Sequence, residues 1–190
     1  MERFDLGPAT KEMARLVAGI GDDQLAAPTP CPEYCVADLA EHVGGLTLAF
    51  TAAARKTATG DQPSVDGSRL EPGWRDRVVA DLADLAAAWD DASAWEGMTM
   101  AGPVEVPGPV AALIALDELV VHAWDLAVAT GQDYDPAESD VERCHGFAAS
   151  FEPPAENDGG LFGPPVAVPD DASPLDRLIG LTGRDPSWSA

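Results

Sequence analysis

The sequence predicts an all-α fold: a four-helix bundle with a small hairpin or loop insertion and a short C-terminal helical extension. Three observations predict it. Four long stretches repeat apolar residues at helical spacing. Short or medium connections, rich in Pro and Gly, separate them. One of the four is apolar nearly all round, as the central helix of a bundle must be.

The first helix is expected from about Pro8 to Ile20, with Leu6, Met13, Leu16, Val17 and Ile20 on one side. The Pro-rich turn Pro28-Thr-Pro-Cys-Pro-Glu-Tyr-Cys35 cannot continue a helix. A second helix runs from about Val36 to Ala58, striped by Val36, Leu39, Ala40, Val43, Thr47 and Phe50. Gly60 to Gly67 reads as a polar loop. The third helix repeats the pattern at Trp74, Val78, Leu82, Leu85 and Trp89. Gly102-Pro103 separates the short alternating runs Met98-Thr-Met100 and Val104-Glu-Val106, a small hairpin or wide loop. The fourth helix extends from about Pro109 to Thr130 and stops at Gly131. Asp140 to Phe151 reads as helical and Pro153 to Pro169 as connection. Ser173-Pro174 caps a last short helix through Leu181, closed by Gly183.

Length and charge bound the function. At 190 residues the chain is expected to form a single domain over 1–190, with the extension covering about 135–190. Thirty-three acidic residues against 11 basic ones give a net charge of −22, which repels nucleic-acid phosphates and anionic lipid heads. No stretch approaches the roughly 18 apolar residues of a membrane helix. The N-terminus lacks the basic start and apolar core of a signal peptide, and three cysteines do not make a secreted disulfide framework. A cytoplasmic protein acting on a small molecule is expected; a homodimer is compatible with such a bundle.

The fourth helix carries the chemistry. Glu118, His122 and Asp125 fall in one narrow arc of this apolar helix, with Asp117 close by. Charges in such a place must be paired or bind a cation. Glu118 and His122, four residues apart, sit one above the other, close enough to share one ion at about 2.0–2.2 Å or simply to hydrogen-bond. His42 lies at the shoulder of the second helix's stripe, where it can face inward. A His/Glu/His set leaves coordination positions open, the pattern of a catalytic site. Asp125 can orient an imidazole or make a helix-to-helix polar contact, and Trp124 can wall a pocket. Cys31 reads as a buried small residue rather than a nucleophile or fourth ligand. Cys144 and His145 point about 100° apart on a helix and make no dyad. Gly44-Gly45 lets a neighbouring helix or a ligand approach closely.

Three stretches then carry a family resemblance. Asp117-Glu-Leu-Val-Val-His-Ala-Trp-Asp-Leu-Ala127 resembles the signature of the mycothiol-dependent maleylpyruvate isomerase metal-binding domain family, within the DinB-like superfamily. Thr29-Pro-Cys-Pro-Glu-Tyr-Cys-Val-Ala-Asp-Leu39, with His42 after it, resembles that family's turn into its second helix. Leu175-Asp-Arg-Leu-Ile-Gly-Leu-Thr-Gly-Arg-Asp-Pro186 resembles the tail of many actinobacterial members. The resemblance implies a DinB-like bundle holding one divalent ion through His42, Glu118 and His122. Zinc is the usual ion, and Ni²⁺ or Fe²⁺ suit the same donors. It also implies mycothiol or another low-molecular-weight thiol as cosubstrate, the metal stabilising the thiolate for S-transfer to, or isomerisation of, a small electrophile. A metal- or small-molecule-binding protein without turnover is the alternative.

The sequence departs from the family in three ways. Tyr34 stands where many relatives place Trp. The isomerase carries an additional C-terminal domain, for which these 190 residues leave no room. The few C-terminal cations available to grip a dicarboxylate such as maleylpyruvate are Arg143, Arg177 and Arg184, so the expectation is a different electrophile or a lost activity.

Overall fold

The computed structural model describes residues 2–32, 34–60, 65–152 and 161–190. Six α-helices appear among them: α1 (Gly7–Gly19), α2 (Val36–Ala54), α3 (Trp74–Asp90), α4 (Gly108–Thr130), α5 (Glu138–Ala148) and α6 (Pro174–Leu181). Between α3 and α4 lies one antiparallel hairpin, β1 (Met98–Ala101) and β2 (Val104–Pro107), with Met98 opposite Pro107 and Ala101 opposite Val104. In the four-helix bundle α1 packs on α3 and α4, and α2 packs on the same two helices. Helix α5 lies on α4, and α6 lies on α5.

Local chemistry explains the boundaries. Proline stands in the first turn of α1, α4 and α6, where its missing N–H costs nothing. Ser173 accepts from the Asp176 N–H at 3.0 Å and so caps α6. Gly131, at φ 68°, ends α4 in the left-handed conformation that glycine adopts without strain. Each expected α3 stripe residue, Trp74, Val78, Leu82, Leu85 and Trp89, is buried. The α2 stripe is buried too. Gly44 has the expected role: a Cβ there would stand 3.3 Å from Val78 Cγ2, so the glycine lets α2 and α3 approach closely.

Two boundaries differ from expectation. Helix α2 stops at Ala54 rather than Ala58, because Lys56 turns left-handed at φ 59° and Thr57 N–H closes the end on Ala52 O at 2.9 Å. The Lys56 amine then donates to Ala94 O at 2.7 Å, tying this end to the turn before the hairpin. Helix α5 runs from Glu138 to Ala148, starting and ending earlier than the periodicity suggests, and Ser150 turns back on Phe147 O. The loop at Gly60 to Gly67 and the connection at Pro153 to Pro169 each lie partly outside the described residues. The hairpin packs against α2 and α4, anchored by the Thr99 hydroxyl donating to Ala53 O at 2.7 Å.

Helix α4 is central: every residue from Ala115 to Ala127 except Glu118 is buried. Among the described residues no helix is long and apolar enough to cross a membrane.

One buried carboxyl near the bundle's edge predicts a pH effect. Asp140, in the first turn of α5, is buried with Oδ2 lacking a hydrogen-bond partner among the described residues, and burial raises its pKa. A carboxyl raised in the folded state ionises first in the unfolded chain, so its penalty grows as pH rises through the unfolded value of about 3.9. Asp140→Asn is therefore expected to stabilise the protein at pH 7 and to lose that advantage near pH 3. Denaturant titrations of both proteins at the two pH values check it.

Candidate metal centre

Adjacent helices bring the three expected ligands together. His42 comes from the second turn of α2, and Glu118 and His122 from the middle of α4; one donor atom from each lies within 4.8 Å of the others. His122 Nε2 is 3.0 Å from Glu118 Oε2, as the four-residue spacing requires. The His42 and His122 rings meet edge to face with centroids 5.3 Å apart.

Charge states follow from the surroundings. Burial, with the neighbouring His122 charge, lowers the His42 pKa to about 4 against the pull of Glu118, so the ring is neutral. Its Nδ1 is buried without a hydrogen-bond partner among the described residues. Burial would raise the Glu118 carboxyl, but the hydrogen bond and charge of His122 outweigh it and hold it below its ordinary value. Burial likewise opposes a charged His122, yet hydrogen bonds to Asp125, Cys31 and Glu118 lift it well above the usual histidine range. A neutral imidazole with an unused nitrogen, an ionised carboxylate and a second imidazole fit a divalent cation of the zinc type. Such an ion would take the place of the proton on His122 Nε2.

Behind His122 stands a second layer. His122 Nδ1 donates to Asp125 Oδ2 at 3.0 Å. Asp125 is completely buried, and Arg184 grips it with Nε at 2.8 Å from Oδ1 and a terminal nitrogen at 2.9 Å from Oδ2. Cys31 joins this layer. Its thiol is 3.5 Å from Asp125 Oδ2 and 3.4 Å from an Arg184 nitrogen. The turn before α2 presents it: the buried Thr29 hydroxyl donates to Tyr34 O at 2.8 Å and accepts from the Cys31 N–H at 3.2 Å. Cys31 is thus half-buried and in polar company, not the enclosed small residue expected.

The remaining expected residues fall less centrally. Asp117 is buried with Oδ1 unpartnered among the described residues, and burial together with Glu118 raises its pKa to about 8. Trp124 is buried, but it does not line the small apolar void of about 10 Å³ that Glu118 borders with Val43, Leu46, Thr47, Phe50 and Leu119. A larger groove of about 650 Å³ lies between α2 and α3, and none of its lining residues is a candidate ligand. Cys144 is fully buried, and burial raises its thiol further from ionisation.

Sequence reasoning noted Tyr34 only as a departure from the family and did not place it beside His42, where its ring stands 6.2 Å from the imidazole, nor did it foresee the position of Arg184. It offered Arg143, Arg177 and Arg184 as grips for an acidic substrate. Only Arg184 reaches the centre, where it is held on Asp125; Arg143, over the Phe4 ring at 5.0 Å, and Arg177, on Asp170 O at 2.7 Å, are exposed on the surface.

The family model described as mycothiol maleylpyruvate isomerase N-terminal domain matches residues 6–127. Uncharacterised proteins from two strains of Mycobacterium tuberculosis are each 35% identical over 181 residues, covering 93% of both chains. The fold is similar to the crystal structure of the mycothiol-dependent maleylpyruvate isomerase, with a TM-score of 0.57 and 18% identity over 74% of this chain. A histidine-to-alanine variant of that enzyme matches equally. The match covers 65% of the solved isomerase's chain.

Proposed function

This chain belongs to the mycothiol maleylpyruvate isomerase N-terminal domain family, and from that premise we propose that it is a metal-dependent enzyme that uses a low-molecular-weight thiol on a small electrophile. The convergence of His42, Glu118 and His122 within 4.8 Å carries the reading. When bound there, a divalent ion, zinc by the family resemblance, would supply Lewis acidity that makes a thiol nucleophilic near neutral pH.

The chain's own residues do the rest. His42 and His122 present nitrogens, Glu118 brings one negative charge, and Asp125 keeps the His122 proton on Nδ1 so that Nε2 faces Glu118. Arg184, the C-terminal arginine at this centre, is already spent on Asp125, and the chain carries a net charge of −22. Both features favour an electrophile with little negative charge over a dicarboxylate. Action without nucleic-acid or membrane partners fits the charge of −22.

The test is consumption of mycothiol, or a simpler thiol, with a panel of neutral Michael acceptors and epoxides and with maleylpyruvate. Turnover that chelator removes and zinc restores, with neutral acceptors preferred, is the expected result. Thiol consumption no faster than the uncatalysed rate with every acceptor would reduce the protein to a binding module.

A further inference from the structure

The buried carboxylate behind His122 is held from far along the chain. Asp125 lies on α4, whereas Arg184 lies just beyond α6, fifty-nine residues later and outside the stretch matched by the family model. We propose that Arg184 is a positioning residue for the metal centre: it fixes Asp125, which fixes the His122 ring, so the C-terminal segment sets metal affinity and geometry. This rests on the metal reading above.

Several observations support it. An ionised carboxylate with no exposure needs charge-assisted partners, and Arg184 supplies them through the planar two-pronged grip that only a guanidinium makes. Oδ2 also accepts from His122 Nδ1 at 3.0 Å and from the Cys31 thiol at 3.5 Å. A histidine so held has one tautomer and one ring orientation. The Arg184 side chain is only 14% exposed, and the nitrogens that would seize an anionic ligand are already used.

The backbone places Arg184 deliberately. Gly183 is left-handed at φ 88°, and a Cβ on it would stand 2.8 Å from Gly163 backbone atoms. The Arg184 N–H donates to Ile179 O at 3.1 Å, closing the end of α6. Helix α6 is in turn anchored by the fully buried Leu178 and Ile179. The outer layer of the centre is therefore assembled from both ends of the chain, with Cys31 and Arg184 meeting over Asp125.

The test titrates metal-free full-length protein with Zn²⁺ against a chromophoric chelator and records the visible spectrum of the Co²⁺ form. Arg184→Gln and Asp125→Asn are each expected to lose about 10–100-fold in affinity and to shift the Co²⁺ bands. A purely scaffolding role would leave those bands alone. Arg184→Lys, which keeps the charge without the fork, should recover part of the loss. Because the two residues act in series, the double variant Asp125→Asn/Arg184→Gln should lose no more than the worse single one. It also keeps the test alive if unpaired Asp125 prevents Arg184→Gln from folding. Wild-type affinity and spectrum in Arg184→Gln, or in the double variant, would overturn the proposal alone. Wild-type protein that binds neither ion would overturn the metal reading and this proposal with it.

Discussion

His122→Ala is expected to lower metal affinity by more than about a hundredfold, beyond the 10–100-fold typical of a residue that only supports a ligand. His122 occupies the one position shared by both layers: Nε2 faces Glu118 and His42, and Nδ1 holds Asp125. Removing it deletes a donor and disconnects Arg184 from the centre in one step. It also leaves Glu118 without its strongest stabilising neighbour, so the carboxylate pKa should rise toward what burial alone dictates. The metal-free variant should therefore be less stable than metal-free wild type at neutral pH. Zinc titration and thermal unfolding, both on chelator-treated protein, check the two halves of this expectation.

Leu116→Ala is expected to do the converse, costing about 2–5 kcal/mol of stability while metal stoichiometry stays unchanged in folded protein. Leu116 is fully buried and belongs to the main core. It precedes Glu118 by two residues, so it points roughly 200° around α4 from that ligand. The cavity it leaves faces the packed helices rather than the candidate site. For a domain of this size the loss lowers the melting temperature by roughly 5–15 °C. Denaturant unfolding and elemental analysis on the same sample separate scaffold from site.

The contrast between these two substitutions also shows what a sequence can reveal. Local periodicity carries the helices: the α3 stripe from Trp74 to Trp89 and the α2 stripe from Val36 to Phe50 are buried as their spacing requires. It also carries Glu118, His122 and Asp125, because spacings of three and four residues on one helix place side chains on one arc. The end of α2 was not legible, since it depends on Lys56 finding Ala94 O, thirty-eight residues away.

Arg184 and Cys31 were illegible for the same reason. Their meeting with Asp125 spans fifty-nine and ninety-four residues, and no periodic signal encodes a contact between a turn, a helix interior and a C-terminal tail. A cysteine such as Cys31 in a Pro-rich turn reads as filler until the turn's Thr29 hydrogen bonds are seen to aim it. An arginine in an acidic chain reads as a substrate grip until its guanidinium is found already occupied.

The central claim is that His42, Glu118 and His122 hold one divalent ion. Elemental analysis of protein purified without an affinity metal column, for wild type and the His42→Ala, Glu118→Ala and His122→Ala variants, tests it most directly. About one equivalent of metal in wild type, lost from each folded variant, is the predicted result. A wild type that takes up no metal even when offered zinc, or a folded His122→Ala variant that keeps its full equivalent, would contradict it.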